Sequence, residues 1–184
     1  MAALTGDAPG TTGRRVLHGT LLRPYRGNLK GAESVRDSEV AGGWQPNQLA
    51  VTAICHEVVM PGGVDDSYVD PWVLPRTIDQ RPCPRDGQLD AILCYATVTE
   101  PDVPHLHGQW RRGRAIVERL VDGFQAPMLL VHHALQQASS ANAPHLHILA
   151  AVMALSGRGF SAPVAALVGD KACDVFIEVW LGSD

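Results

Sequence analysis

The sequence predicts an α+β domain, a mainly antiparallel β-sheet with one or two helices packed on a face. Three observations predict it. Several apolar runs have strand length and are bounded by glycine, proline or polar turns. One stretch, residues 110–124, carries its apolar side chains at helical spacing, and the string Pro-His-Leu-His occurs twice, at residues 104–107 and 144–147. The 184 residues are 46% hydrophobic and 18% charged, enough apolar surface for a core and too little charge for a disordered chain. A single domain over residues 14–184 is expected, behind a flexible Gly/Thr/Pro tail at residues 1–13.

Each element has its own justification. Val16 to Leu22 reads as a short strand that stops at Pro24, because proline has no N–H for a ladder and restricts the residue before it. Residues 28–40 have weak helical character before Gly42-Gly43 breaks the chain. Gln48 to Val59, rich in valine and isoleucine, is the next strand, closed by Pro61-Gly62-Gly63. Residues 61–87 hold five prolines and read as a long surface excursion with little regular structure, a lid or an interface arm. Leu89 to Val98 is a strand and Thr99 to Pro104 a turn.

From there the helix at 110–124 sets Trp110, Val117, Leu120, Val121 and Phe124 on one face and four arginines largely opposite, with Gly113 weakening it. Met128 to Ala134 reads as a buried strand, Gln136 to Ala143 as a polar loop, and His145 to Leu155 as a central strand. Ser161 is placed to cap a short helix, and Asp174 to Leu181 reads as a closing strand.

Charge argues against an unfocused nucleic-acid binder. Residues 1–40 hold six basic and four acidic side chains, residues 41–104 three and nine, and the whole chain carries −4. Contact with DNA would have to use a local patch, for which Arg111, Arg112 and Arg114 are the candidates, beside the solvated-surface reading of the same charges. No apolar run approaches the roughly 18 residues that span a bilayer, and residues 1–13 lack a basic start and an apolar core, so no membrane partner and a cytoplasmic location are expected. The four cysteines are widely spaced with no Cys-x-x-Cys pair, which suits reduced thiols.

The histidines carry the chemistry. In an extended strand residues i and i+2 share a face, so His145 and His147 project together, as two ligands of one metal must. Neutral imidazoles suit zinc, and an antiparallel neighbour ending in His132-His133 would bring one of those two to the pair. The metal candidates are therefore His133, His145 and His147, with His132 the other choice for the third position. Two histidines at a strand edge can equally sit in water or on carbonyls. His105 and His107 are a weaker pair beside a proline turn, and His18 and His56 read as ordinary histidines. Phosphate loops, nucleophile elbows and His-Glu-x-x-His motifs are missing.

Two resemblances follow from these strings. Gly87-Gln-Leu-Asp-Ala-Ile-Leu with Pro104-His-Leu-His, then Met128-Leu-Leu-Val with Pro144-His-Leu-His-Ile, Gly157-Arg-Gly-Phe160, Val164 to Val168 and Phe176-Ile-Glu-Val-Trp-Leu181, resemble the PPC domain conserved in plants and prokaryotes. That resemblance implies a small homo-oligomeric binding or regulatory domain, associated with DNA or carrying a histidine-bound metal such as zinc, and ending in a Glu-Val-hydrophobic strand. The order Tyr25, helix 110–124, His132/His133, polar loop with Asn142, and His145/His147 on a central strand is similar to plasmid-mobilisation relaxases of the His-hydrophobic-His endonuclease class. It implies a single-strand DNA nickase in which magnesium or manganese polarises the scissile phosphate and Tyr25 attacks it to leave a 5′-phosphotyrosine.

Overall fold

The computed structural model describes residues 15–22, 32, 33, 35, 40, 53–80, 91–99, 105–134 and 144–181. Five strands form one antiparallel sheet: β1 (Arg15–Leu22), β2 (Ala53–Val59), β3 (Ala91–Thr99), β4 (Met128–His133) and β5 (His145–Ala151), in the spatial order β1-β3-β5-β4-β2. The α+β class with a mainly antiparallel sheet is thus the observed one. Strand β5 is central, as its unbroken apolar run requires: six of its seven residues are buried. A two-stranded hairpin, β6 (Met153–Ser156) and β7 (Gly159–Pro163), follows directly, turning at Gly157-Arg158 into Gly159 with φ of 94°.

Among the described residues three helices have full bounds and clothe the sheet, α1 (Val73–Asp79), α2 (Leu106–Phe124) and α3 (Asp170–Leu181), and residues 32, 33, 35 and 40 are helical as well. Partners in register share a face, so Cys94, Ala96 and Val98 of β3, Leu146, Ile148 and Ala150 of β5, and Met128 and Leu130 of β4 make one apolar layer. Helix α2 lays Ile116, Val117, Leu120 and Val121 on it, and α3 adds Ala172, Phe176 and Trp180. Burial of a side chain such as Phe176 is worth roughly 1.5–3 kcal/mol against exposure. The opposite face carries Leu93, Leu129, Val131, Leu149 and Ala151 under Leu74 and Ile78 of α1 and under Ala32 and Val40. Asp79 ties those covers together: its carboxylate accepts from the backbone N–H of Ala32 at 2.8 Å and of Glu33 at 3.0 Å.

Several expected elements differ. Asp174 to Leu181 is not a strand but part of α3, because Ala172, Phe176 and Trp180, four apart, all reach full burial on one helical face. The excursion at 61–87 is less irregular than its prolines suggest: a 3-10 turn at Asp66–Val69 leads into α1, where Pro75 is tolerated in the first turn, while residues 81–87 lie outside the described set. The Ser161 helix is replaced by strand β7. The central strand stops at Ala151 and not Leu155, since Val152 breaks the ladder before β6. Helix α2 begins at Leu106, drawing His107 into its first turn. Strands β1, β2, β3 and β4 stand where expected within one or two residues wherever they are described, and residues 1–14 lie outside that set. No helix among the described residues is long and apolar enough to cross a membrane.

Candidate functional site

The sheet register assembles a histidine cluster at one end of the central strands. His145 opens β5 and pairs with His133 at the end of β4, while His147 pairs with Val131 on one side and Thr97 on the other. His133, His145 and His147 therefore share the α1 side of the sheet, and His132, paired with Leu146, points to the α2 side. The open choice between His132 and His133 is settled by that register: His133 faces the pair.

The three rings touch. His133 stacks on His145 with centroids 5.4 Å apart and planes 6° from parallel, and meets His147 edge-on at 4.8 Å. His145 and His147 stand nearly perpendicular, with their Nε2 atoms 3.1 Å apart. That distance is an N–H···N hydrogen bond, and it also falls within the span of about 3.0 Å at ~90° to about 3.4 Å at ~109° that two nitrogens about 2.1 Å from one ion would have. Among the described residues no three His, Cys, Asp or Glu side chains close a ligand set as they stand. The His145 and His147 donors converge, and a third from His133 requires its ring to turn off the stack.

On its far side the His147 ring meets two hydroxyls from β3. Tyr95 Oη and Thr97 Oγ1 both lie within hydrogen-bond distance of His147 Nδ1, the latter at 2.8 Å, and Thr97 donates to Tyr95 at 3.0 Å. His147 is buried, as are His133 and His132. Tyr95 and Thr97 are residues that reading the sequence missed. Their signal is the i, i+2 spacing on a strand, but it means something only once β3 is known to lie beside β5.

His132 serves the opposite face. Its Nε2 donates to Gln109 Oε1 of α2 at 3.1 Å, its Nδ1 faces Cys55 Sγ at 4.0 Å, and Trp110 stacks over the ring. Burial, and then the neighbouring His145, push its pKa down to about 4, so the ring is neutral at neutral pH. Burial, seconded by Glu57, pushes the Cys55 thiol up. The two form a neutral pair, not a thiolate and an imidazolium.

The remaining candidates fall elsewhere. His105 caps α2 through its backbone and stacks on His107 at 5.4 Å, both on the helix that packs against the other face. His56 is exposed on edge strand β2 opposite Val131, and His18 pairs in register with Ala96. Arg111 is exposed, and Arg112 is half-buried. Arg114 is engaged: its guanidinium grips both carboxylate oxygens of Glu57, at 2.9 and 3.1 Å, and also reaches Glu118. Those carboxylates raise its pKa further, so it spends its charge inside the fold. Tyr25 and Asn142 lie outside the described residues.

Fold and site together define an antiparallel α+β domain with a histidine cluster on its central strand and helices over the reverse face. No family model matches the chain, and no curated protein matches it. A solved structure does. The chain is similar to a protein of vancomycin resistance transfer in Staphylococcus aureus, with a TM-score of 0.68 and 12% identity over 92% of this chain and 89% of that one. At that identity the likeness concerns the fold.

Proposed function

We propose that this chain is a metal-dependent single-strand DNA nickase of the His-hydrophobic-His class, with His133, His145 and His147 holding a divalent ion and Tyr25 as nucleophile. The observation that carries it is the convergence of the His145 and His147 Nε2 atoms, 3.1 Å apart on the central strand, with the His133 ring in register beside them. The likeness in fold to a protein of resistance transfer supports a DNA-associated role. The order of elements supports it too: helix α2, a strand ending in His133, a connection, and the central strand opening with His145 and His147. The PPC resemblance closes on a strand at 176–181, where this chain has α3.

A bound ion would polarise a phosphate oxygen at this site. All-imidazole donors favour a transition ion such as zinc over magnesium. The chain's own groups do the rest. Tyr25 Oη attacks the phosphorus, its proton passing to solvent; the bond from phosphorus to the 3′ oxygen breaks, that oxygen leaves with the electron pair and takes a proton, and the 5′ phosphate stays on Tyr25. Arg111 is exposed on α2, the helix that covers the face opposite the cluster, and in this reading it would meet the DNA backbone away from the scissile phosphate.

The test is incubation with single-stranded oligonucleotides and Mn²⁺, Mg²⁺ or Zn²⁺, read for a covalent adduct on a denaturing gel. Tyr25→Phe should abolish the adduct while leaving DNA binding nearly intact, and His147→Ala should remove metal affinity and adduct together. An adduct that survives Tyr25→Phe rules out the assigned nucleophile. No adduct over a panel of origin-like sequences rules out the nickase.

A further inference from the structure

We infer that Tyr95 and Thr97 are positioning residues that hold His147 as its Nδ1–H tautomer, so that the Nε2 lone pair faces His145. A hydroxyl has one proton to give. Thr97 Oγ1 gives its proton to Tyr95 Oη at 3.0 Å. It therefore meets His147 Nδ1, 2.8 Å away, only as an acceptor, and the ring nitrogen carries the hydrogen. Tyr95 Oη, 2.5 Å from the same nitrogen, is assigned as a second acceptor of that shared N–H; as a donor it would instead leave Nδ1 bare and put the hydrogen on Nε2, the outcome that the NMR experiment distinguishes. The opposite tautomer would set the Nδ1 lone pair against the Thr97 oxygen 2.8 Å away in a buried site, a repulsion that only a proton from Tyr95 could offset. Both hydroxyls sit on one face of β3 because they are two residues apart, and β3 pairs with β5 so that Thr97 lies directly opposite His147.

A consequence follows at His145. With only a lone pair on His147 Nε2, the 3.1 Å contact between the two Nε2 atoms makes His145 the donor in the ion-free protein. A divalent ion held by both Nε2 atoms would need both lone pairs, so His145 would have to carry its proton at Nδ1 instead, while His147 would already be set. That last step rests on the metal reading proposed above; the tautomer of His147 does not.

The experiment is long-range proton–nitrogen NMR on the uniformly ¹⁵N-labelled protein without metal, the His147 signals being assigned with His147→Gln. Wild type and Thr97→Ser should show His147 protonated at Nδ1. Tyr95→Phe combined with Thr97→Val should shift His147 toward Nε2–H and weaken Co²⁺ binding, measured by calorimetry, by about 10–100-fold, the range that outer partners of ligating histidines command. A purely structural role would move the melting temperature but not the tautomer, and Thr97→Ser should restore both tautomer and affinity. His147 protonated at Nε2 in the wild type, or at Nδ1 in the double variant, overturns the assignment. If the tautomers follow the expected pattern while Co²⁺ does not bind, the assignment is supported and the metal reading is the one that fails.

Discussion

A Cβ added to Gly113 on α2 would lie 2.5 Å from Cδ1 of Leu146, the residue between His145 and His147 on β5. The helix approaches the central strand closely enough that any side chain at this crossing obliges the Leu146 methyl to move. Leu146 is 1% exposed and packed in the main apolar layer, so that movement has to be taken up by its core neighbours. Gly113→Ala gains about 1 kcal/mol of helix propensity and meets an overpacking cost of roughly 1–3 kcal/mol. We expect a net loss of about 1 kcal/mol by urea unfolding, together with weaker Co²⁺ binding, because Leu146 is flanked by the two histidines. Gly123 in the same helix has nothing within 4 Å of an added Cβ, so Gly123→Ala should stabilise by up to about 1 kcal/mol. A stabilised Gly113→Ala would show that Leu146 repacks freely.

Acid should loosen the α2 face. His132 titrates near its ordinary value of 6.5 when unfolded and at about 4 when folded. Between those values the unfolded chain binds the proton and the folded chain does not, so stability is complete above about 6.5 and falls as pH drops toward 4, by at most about 1.4 kcal/mol per pH unit. Urea unfolding from pH 7.5 to 4.5 should show this slope. In His132→Gln the slope should shrink. An unchanged slope would assign the acid sensitivity to other groups.

How much of this site is legible in the sequence follows from which contacts are local. The strand period alone sets His145 and His147 on one face, and the short connection from His133 to His145 makes their antiparallel pairing the simplest one. The Tyr95–Thr97–His147 contact depends on β3 lying beside β5, a pairing across an intervening helix and strand that no local pattern encodes. The C-terminal helix misleads for another reason. Val175, Ile177 and Val179 alternate at period two within the same window in which Ala172, Phe176 and Trp180 recur at period four. β-branched residues favour the first pattern, and only the apolar sheet face waiting to be covered selects the second.

The buried thiols should differ in reactivity. Cys94 lies under α2 and α3 in the main apolar layer, and burial, seconded by Cys173, pushes its pKa up to about 12. Cys55 is half-buried and raised by a smaller burial. The thiolate is the reactive form. Iodoacetamide at pH 8 followed by mass spectrometry should therefore leave Cys94 unmodified over hours in the native protein and modify Cys55 slowly, with both reacting fast in 6 M guanidinium at about the ordinary rate. Rapid native alkylation of Cys94 would mean that the helices lift from the sheet readily.

The arginines of α2 should separate into two classes by salt dependence. Arg111 is exposed to solvent, whereas Arg114 holds Glu57 with two hydrogen bonds and Glu118 one turn on. Each phosphate neutralised on a single strand contributes about 0.7 to the slope of log affinity against log salt. Arg111→Ala should therefore weaken binding of a single-stranded oligonucleotide and lower that slope by about 0.7 for each phosphate that Arg111 neutralises. Arg114→Ala removes a cation whose field is already balanced by two carboxylates, so the slope should stay within error of wild type. Its effect should appear in thermal unfolding, as a small loss, because Glu57 on the edge strand then loses its tie to α2. Fluorescence anisotropy at several NaCl concentrations, from about 50 to about 300 mM, reads the slope directly. A larger slope change for Arg114→Ala than for Arg111→Ala would place the DNA backbone over the Glu57 side of the helix and overturn this division.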